Sequence, residues 1–271
     1  MKRAFFSMLI LTIIWGSTFP LQKIVLVGIS PFIYNSMRFS LASILSYLIW
    51  GFGSIKYGAI LGLFLSCGYI TQIWGLTMTT ASKSGFITSL YVVLVPLISY
   101  FLERKKVSVL QLLGFCFAFI GMYLLSGGVD GFNFGDFLNL LCAVSFAFHV
   151  VMITIFSNKV HHSKLLTPQF LTTALINSLL GIHGKWKITF PILGVVIYTA
   201  IFATVYGIYI QTKYQKRIGS NTSALIFSGE PVFSAIFSYL ILREKMTVLQ
   251  IVGASLLLTA ILMSSVGMDE I

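Results

Sequence analysis

Residues 84–114 read SGFITSLYVVLVPLISYFLERKKVSVLQLLG, and residues 223–253 read SALIFSGEPVFSAIFSYLILREKMTVLQIVG. The two stretches lie in register at a shift of 223 − 84 = 139. Ser84 falls on Ser223, Ile87 on Ile226, Ser89 on Ser228, Ser99 on Ser238 and Tyr100 on Tyr239. Arg104/Arg243, Lys106/Lys245, Val109/Val248, Leu110/Leu249, Gln111/Gln250 and Gly114/Gly253 follow without a gap. Upstream, the same shift pairs Gly68 with Gly207 and Gln72 with Gln211. Chance matches between apolar runs are common, but matches at Gln, Arg, Lys and Tyr in one register are not. Self-similarity at one offset marks a repeated structural unit.

The composition sets the solvent of that unit. Of 271 residues, 57% are hydrophobic and 9% charged, against about 25% charged in a soluble domain. Too little polar surface exists to face water, which excludes an ordinary soluble protein. The apolar residues come in runs of about 20, the length that crosses a bilayer core as a helix. A membrane β-barrel would instead show alternating segments of about 10 residues. The net charge of +11 does not indicate nucleic acid, because the basic residues lie at the ends of apolar runs. That placement sets membrane topology and favours contact with the lipid bilayer. Cys67, Cys116 and Cys142 all fall inside apolar segments and read as packing residues.

Ten spans are predicted, at 4–27, 31–50, 57–79, 84–102, 107–126, 134–158, 165–181, 188–214, 222–242 and 246–266. The expected fold class is all-α: a polytopic membrane protein of ten transmembrane helices in two inverted five-helix repeats. Residues 1–127 form the first repeat and 134–266 the second, together one membrane domain. A unit of five spans is odd, so its second copy enters the membrane from the opposite face. Inverted repeats are characteristic of secondary transporters, with the binding site near mid-membrane between the halves. The N-terminal run MKRAFFSMLILTIIWG is read as an uncleaved first span, since no small-residue cleavage site follows it. With the N-terminus inside, Lys2, Arg3, Lys56, Arg104, Lys105, Lys106, Lys159, Lys164, Lys213, Lys216 and Arg217 are cytoplasmic. Lys23, Lys83, Lys185, Lys187, Arg243 and Lys245 fall on the other side. The excess predicts a multi-pass protein of the inner (plasma) membrane with both termini cytoplasmic.

Several motifs resemble the EamA branch of the drug/metabolite transporter superfamily. They are Trp15-Gly16-Ser17-Thr18-Phe19, Ser84-Gly85-Phe86-Ile87 through Pro96 and Glu103, and Gln211-Thr212-Lys213-Tyr214-Gln215-Lys216. Ala224 to Phe233, which holds Gly229-Glu230-Pro231, then Arg243-Glu244, Gln250 and Gly253, complete the set. The resemblance covers essentially the whole chain. It implies ten helices in two inverted repeats and transport of small solutes, often export, and it carries the ninth-span acid and proline onto Glu230 and Pro231. The sequence departs from the family pattern at Phe148-His149, and Pro96 lies one turn later than the counterpart of Pro231 (231 − 139 = 92).

Glu230 is the one acid deep inside a predicted span. A carboxylate there is expensive and is by default a functional-site hypothesis. It would bind a substrate ammonium or change protonation during a cycle; the bland alternative is a structural carboxylate bonded to neighbouring groups. Arg38 lies about 11 Å into the second span at 1.5 Å per residue, where it would receive a substrate carboxylate, pair with Glu230, or snorkel to the interface. Lys23, near the end of the first span, is an interfacial anchor or a second cation for binding. Gln72 and Gln211 would hydrogen-bond a polar solute, or simply join helices. His149 is a candidate proton relay or a satisfied packing residue; it has no ligand-spaced partner, so no metal site is expected, and no cofactor. Trp15, Tyr69, Trp74, Tyr91 and Tyr206 are candidates to line an apolar cavity with polar tips. Pro231 and Pro96 are candidate hinges or plain kinks.

These readings converge on a secondary active transporter, an exporter of small organic metabolites such as amino acids, working by alternating access. Its partners would be a small-molecule substrate, the bilayer and protons as a candidate coupling ion, with no nucleic acid; the oligomeric state is open. Efflux of cationic drugs, a channel, or a non-transporting scaffold are the alternatives. No nucleotide-binding motif and no catalytic constellation stand out, so an enzyme ranks last.

Overall fold

Away from water, every backbone N–H and C=O must be paired within the protein, and a helix does this inside one segment. The structure, a computed structural model, describes residues 2–125, 132–184 and 188–266. Among the described residues it is helical throughout its regular structure, with no strand. Lys185, Lys187 and most of the connector 127–133 lie outside the described residues.

The helices are α1 (Lys2–Val25), α2 (Pro31–Trp50), α3 (Ile55–Met78), α4 (Ala81–Ser89), α5 (Tyr91–Leu102), α6 (Val109–Leu125) and α7 (Phe134–Ser157). After a 3-10 turn (His162–Leu165) come α8 (Leu166–Gly181), α9 (Phe190–Tyr198), a π-helix (Thr199–Tyr206), α10 (Gly207–Ile218), α11 (Ser220–Phe227), α12 (Glu230–Leu242) and α13 (Val248–Val266). Among the described residues, six stretches are long and apolar enough to cross a membrane: Lys2–Val25, Ile55–Met78, Ala81–Leu102, Phe134–Ser157, Phe190–Ile218 and Ser220–Leu242. Val109–Leu124 and Val248–Met263 are shorter apolar helices. Asn35 and Arg38 dilute the hydropathy of α2, and α8 has only 16 residues.

The distribution of side chains is that of a protein in lipid. Large apolar groups point outward, among them Phe101, Leu179 and Phe190. Ser, Thr, Asn and Gln side chains fill much of the interior. Many interior hydroxyls donate back to the preceding helical turn, as Ser17 does to the Ile14 carbonyl (2.7 Å) and Ser89 to that of Gly85 (2.8 Å).

Local chemistry repeats with the sequence. Ser108 and Gln111 exchange hydrogen bonds at the start of α6, each at 3.2 Å from side chain to backbone N–H. Thr247 and Gln250 do the same before α13, at 2.7 and 3.3 Å. Each is a capping box that satisfies two orphan donors. Arg104 and Arg243, also 139 apart, are the non-glycine residues with positive φ (56° and 60°) among those described. The break between α4 and α5 is at Leu90, and the break between α11 and α12 is at Ser228–Gly229. The second break has a plain cause. Pro231, in the first turn of α12, has no N–H to continue the α11 ladder.

α4 packs on α12 and α5 on α11, so the two broken helices run antiparallel. α3 lies on α7, α6 on α13, α2 on α8 and α1 on α12. Gly16 makes the last contact possible, because a Cβ there would sit 2.7 Å from Phe233 Cβ and from the Ser234 nitrogen. The close approach of α1 holds the start of α12 against the centre of the molecule.

Candidate functional site

The helix breaks and close contacts leave a narrow central cavity of about 50 Å³. Trp15 and Thr18 reach it from α1, Leu65, Tyr69 and Gln72 from α3, and Tyr91 from the start of α5. Phe146, His149 and Val150 come from α7, Ile208 and Gln211 from α10, and Phe227 and Glu230 from the second helix break. At roughly 10–15 Å³ per water in this measure, the space holds a few waters and no metabolite.

Glu230 is 6% exposed and opens α12. The positive end of that helix dipole favours an anion there. Tyr91 donates its hydroxyl to Glu230 Oε2 at 3.3 Å. The sequence separation of this pair is 139, so Tyr91 occupies in the first half the place that Glu230 occupies in the second. Gln72 and Gln211 also line the cavity and are repeat mates, as are Tyr69 and Ile208 (69 + 139 = 208). Three pairs of equivalent positions therefore surround one space.

The amides are anchored from outside the cavity. Gln72 donates to Thr88 Oγ1 at 3.5 Å, and Gln211 donates to Gln215 Oε1 at 3.0 Å. Gln215 in turn donates to the Val150 carbonyl and to Thr154 Oγ1. His149 shares a hydrogen bond of 3.1 Å with Gln169 Oε1, which ties the ring to α8 and supports the packing reading. Trp15 donates from its indole nitrogen to the Ala203 carbonyl in the π-helix, at 2.9 Å.

Arg38 is placed differently from the other candidates. It is 1% exposed and does not line the cavity. Its Nε donates to Thr204 Oγ1 (2.8 Å) and its Nη2 to the Tyr69 hydroxyl (3.1 Å), while Nη1 has no partner. The guanidinium carbon lies 4.4 Å from the Tyr69 ring centroid. Glu230 and Arg38 thus have separate partners, and the direct pair between them is not formed. Tyr69 stands between the arginine and the cavity, which leaves its own hydroxyl hydrogen free to donate inward.

Other expectations fall outside the site. Tyr206 ends the π-helix and is 41% exposed, and Trp74 packs edge-on against Phe32 and Phe134. Pro96 lies within α5 and lines an outward-facing apolar groove with Tyr100, Phe115 and Phe119, whereas the helix break is at Leu90. Lys23 donates to the carbonyls of Leu76 (2.7 Å) and Thr79 (2.6 Å) at the end of α3, as an anchor does. Thr18, Leu65, Phe146, Val150, Ile208 and Phe227 line the cavity without having been singled out. Ile208 had a signal, its equivalence to Tyr69; the others are ordinary apolar or hydroxyl positions.

Both ends of the broken helices are tied down by an acid. Glu244, beyond α12, accepts from the backbone N–H groups of Ala81 and Ser82 (3.3 Å each) and from the Ser82 hydroxyl (2.5 Å). Glu103, beyond α5, accepts from Ser99 and Ser220, both at 2.7 Å.

A small central cavity enclosed by the helices of an apolar protein is the setting in which the comparison with known proteins is read. Residues 2–127 and 133–266 each match the EamA-like transporter family. The chain belongs to the EamA-like transporter family. An uncharacterized transporter of Archaeoglobus fulgidus is 35% identical over 258 residues, which cover 94% of this chain and 83% of that protein. The YetK uncharacterized transporter of Bacillus subtilis is 24% identical, covering 92% and 83%. A chloroplastic WAT1-related protein of Arabidopsis thaliana is 28% identical, covering 91% and 66%. One crystal structure superposes with a TM-score of 0.80 at 18% identity, over 100% of this chain and 99% of that one, which shows a shared fold. This EamA-like transporter is therefore a multi-pass membrane protein of a transporter family.

Proposed function

We propose that the protein is a secondary active transporter that exports small organic metabolites such as amino acids by alternating access. It would sit in the inner (plasma) membrane with both termini cytoplasmic. Its ten helices would form two inverted repeats, 1–127 and 134–266. The observation that carries this reading is the contact of Tyr91 with Glu230, repeat mates that meet at one central cavity.

Glu230 is the charged anchor for a substrate ammonium. Gln72 and Gln211 offer amide donors and acceptors from either side, while Trp15, Tyr69, Tyr91 and Phe146 supply apolar walls. Arg38 would meet a substrate carboxylate once Tyr69 turns aside, and its free Nη1 supports that role. His149 borders the site through its tie to Gln169. The cavity is too small for such a solute as it stands, so binding requires the helices to part. The Glu244–Ser82 and Glu103–Ser220 contacts lie at opposite ends of the antiparallel broken helices. Releasing one while the other holds would open one face only, which is what alternating access demands. Pro231 would act as the hinge at Ser228–Gly229; Pro96, remote from the Leu90 break, is the weaker hinge. The driving force would be the substrate gradient or protons taken up and released by Glu230.

The test is transport by purified protein in liposomes. A metabolite panel is first screened for thermal stabilisation, since a ligand that prefers the folded state raises its apparent stability. Glu230→Gln should then abolish exchange of the stabilising metabolite. Unaltered exchange of every ligand bound would remove Glu230 from the mechanism. Efflux of cationic drugs is favoured by the same lone acid and would appear as stabilisation by quaternary amines instead.

A further inference from the structure

A second cavity, of about 240 Å³, lies at the end of the molecule where α1 begins and α10 finishes. Arg3, Lys213 and Arg217 line it, with Ala4 and Tyr214. Among the described residues no carboxylate pairs with any of the three cations; the ion pair that does form is Lys83 with Asp136, elsewhere in the molecule. Lys213 instead donates to the Tyr209 hydroxyl at 3.4 Å, and its ammonium lies 5.3 and 5.6 Å from the Tyr209 and Tyr214 ring centroids. Three like charges around one concavity repel each other, and among the described residues no carboxylate relieves them.

The helices that line the cavity also carry exposed apolar residues further along. Phe6, Ile10 and Ile13 are exposed along α1, in steps of four and three residues that keep them on one face. Phe202 and Tyr206 are exposed on the π-helix, which packs beside α1 and leads into α10. Both helices belong to stretches long enough to span a membrane, so the basic pocket sits at the boundary between lipid and water.

We propose that this pocket binds the phosphate headgroup of an anionic phospholipid, with the acyl chains lying along Phe6, Ile10, Ile13, Phe202 and Tyr206. Arg3 and Arg217 contact the phosphate oxygens as hydrogen-bond donors, and Lys213 adds a point charge held by the two tyrosines. A zwitterionic lipid offers the same phosphate but a cationic tail group that the three charges repel. The site is independent of the central cavity and of the substrate.

The experiment measures the melting temperature of the purified full-length protein during titration with phosphatidylglycerol, phosphatidylcholine or inorganic phosphate. Phosphatidylglycerol should raise the melting temperature saturably, and the other two should not. Arg217→Gln and Lys213→Gln should each weaken the apparent affinity for phosphatidylglycerol about fivefold, and Arg3→Gln likewise. Lys56→Gln and Lys159→Gln, basic residues outside the pocket, should leave it unchanged. Single substitutions at exposed or half-exposed positions leave the fold intact, and equal melting without lipid verifies this. Equal loss in the control variants would overturn the proposal by reducing the effect to general charge. Equal stabilisation by inorganic phosphate would overturn it too, by making the pocket a soluble-anion site. Retained affinity in all three pocket variants would place the lipid elsewhere.

Discussion

Tyr91 and Glu230 are one position counted in two halves, and the molecule sets them face to face. The hydroxyl orients a carboxylate that would otherwise have no described donor. Tyr91→Phe keeps the ring and removes that donor. Losing about 1 kcal/mol of net hydrogen bond, the variant should exchange substrate several-fold more slowly in liposomes than the parent. His162 offers a second residue-scale test, outside the spans. Its ring is 9% exposed, and neither nitrogen has a partner. Burial first, then the charges of His161, Lys216, Lys213 and Arg217, push its pKa down to about 4. The unfolded chain takes up this proton near pH 6.5, whereas the folded one resists it. Stability from this residue is therefore complete above about pH 6.5 and is lost as the pH falls towards 4. The melting temperature should drop less between pH 7 and pH 5 in His162→Gln than in the parent.

Among elements, the repeated capping boxes are the clearest link between sequence pattern and structure. The Gln111/Gln250 match, set in otherwise apolar runs, corresponds to two helix starts with the same reciprocal bonds. Ser108→Ala and Thr247→Ala should each cost about 1 kcal/mol, read by thermal or denaturant unfolding. Because α6 and α13 pack antiparallel, Gly121 against Gly253 and Gly114 against Ala260, the boxes open their helices at opposite ends of the pair, and the double variant should show the sum. Helix positions were legible for the same reason. Apolar run length and punctuation by Pro and Gly are local signals, and the predicted 31–50 matches α2 end to end. The π-helix was not legible. Its wider turn comes from packing: Trp15 bonds the Ala203 carbonyl, and Thr204 bonds the Thr199 carbonyl five residues back. That winding alters which residues face inward, and it leaves Tyr206 outside while Ile208 and Gln211 line the cavity.

For the whole molecule, the proposed inversion makes one sharp prediction. Lys105 and Lys245 follow equivalent helices in the two halves, and inversion sets them on opposite membrane faces. Single cysteines introduced next to them, in a background lacking Cys67, Cys116 and Cys142, should react with an impermeant reagent from opposite sides of sealed vesicles. Reaction from the same side would end the inverted-repeat reading and the carrier cycle built on it.

The sequence by itself determined that this chain lives in lipid, that it is helical, that two of its stretches lie in register at a shift of 139, and that Glu230 is an acid inside an apolar run. Those properties are set by composition, run length and register, none of which needs a neighbour. The tertiary structure alone decided that Tyr91 meets Glu230, that Arg38 is screened from the cavity by Tyr69, and that Tyr206 faces outward. The physical reason is that a helical sequence reports depth along the axis. Rotation about the axis, and hence which side chains converge, is settled by how the helices pack.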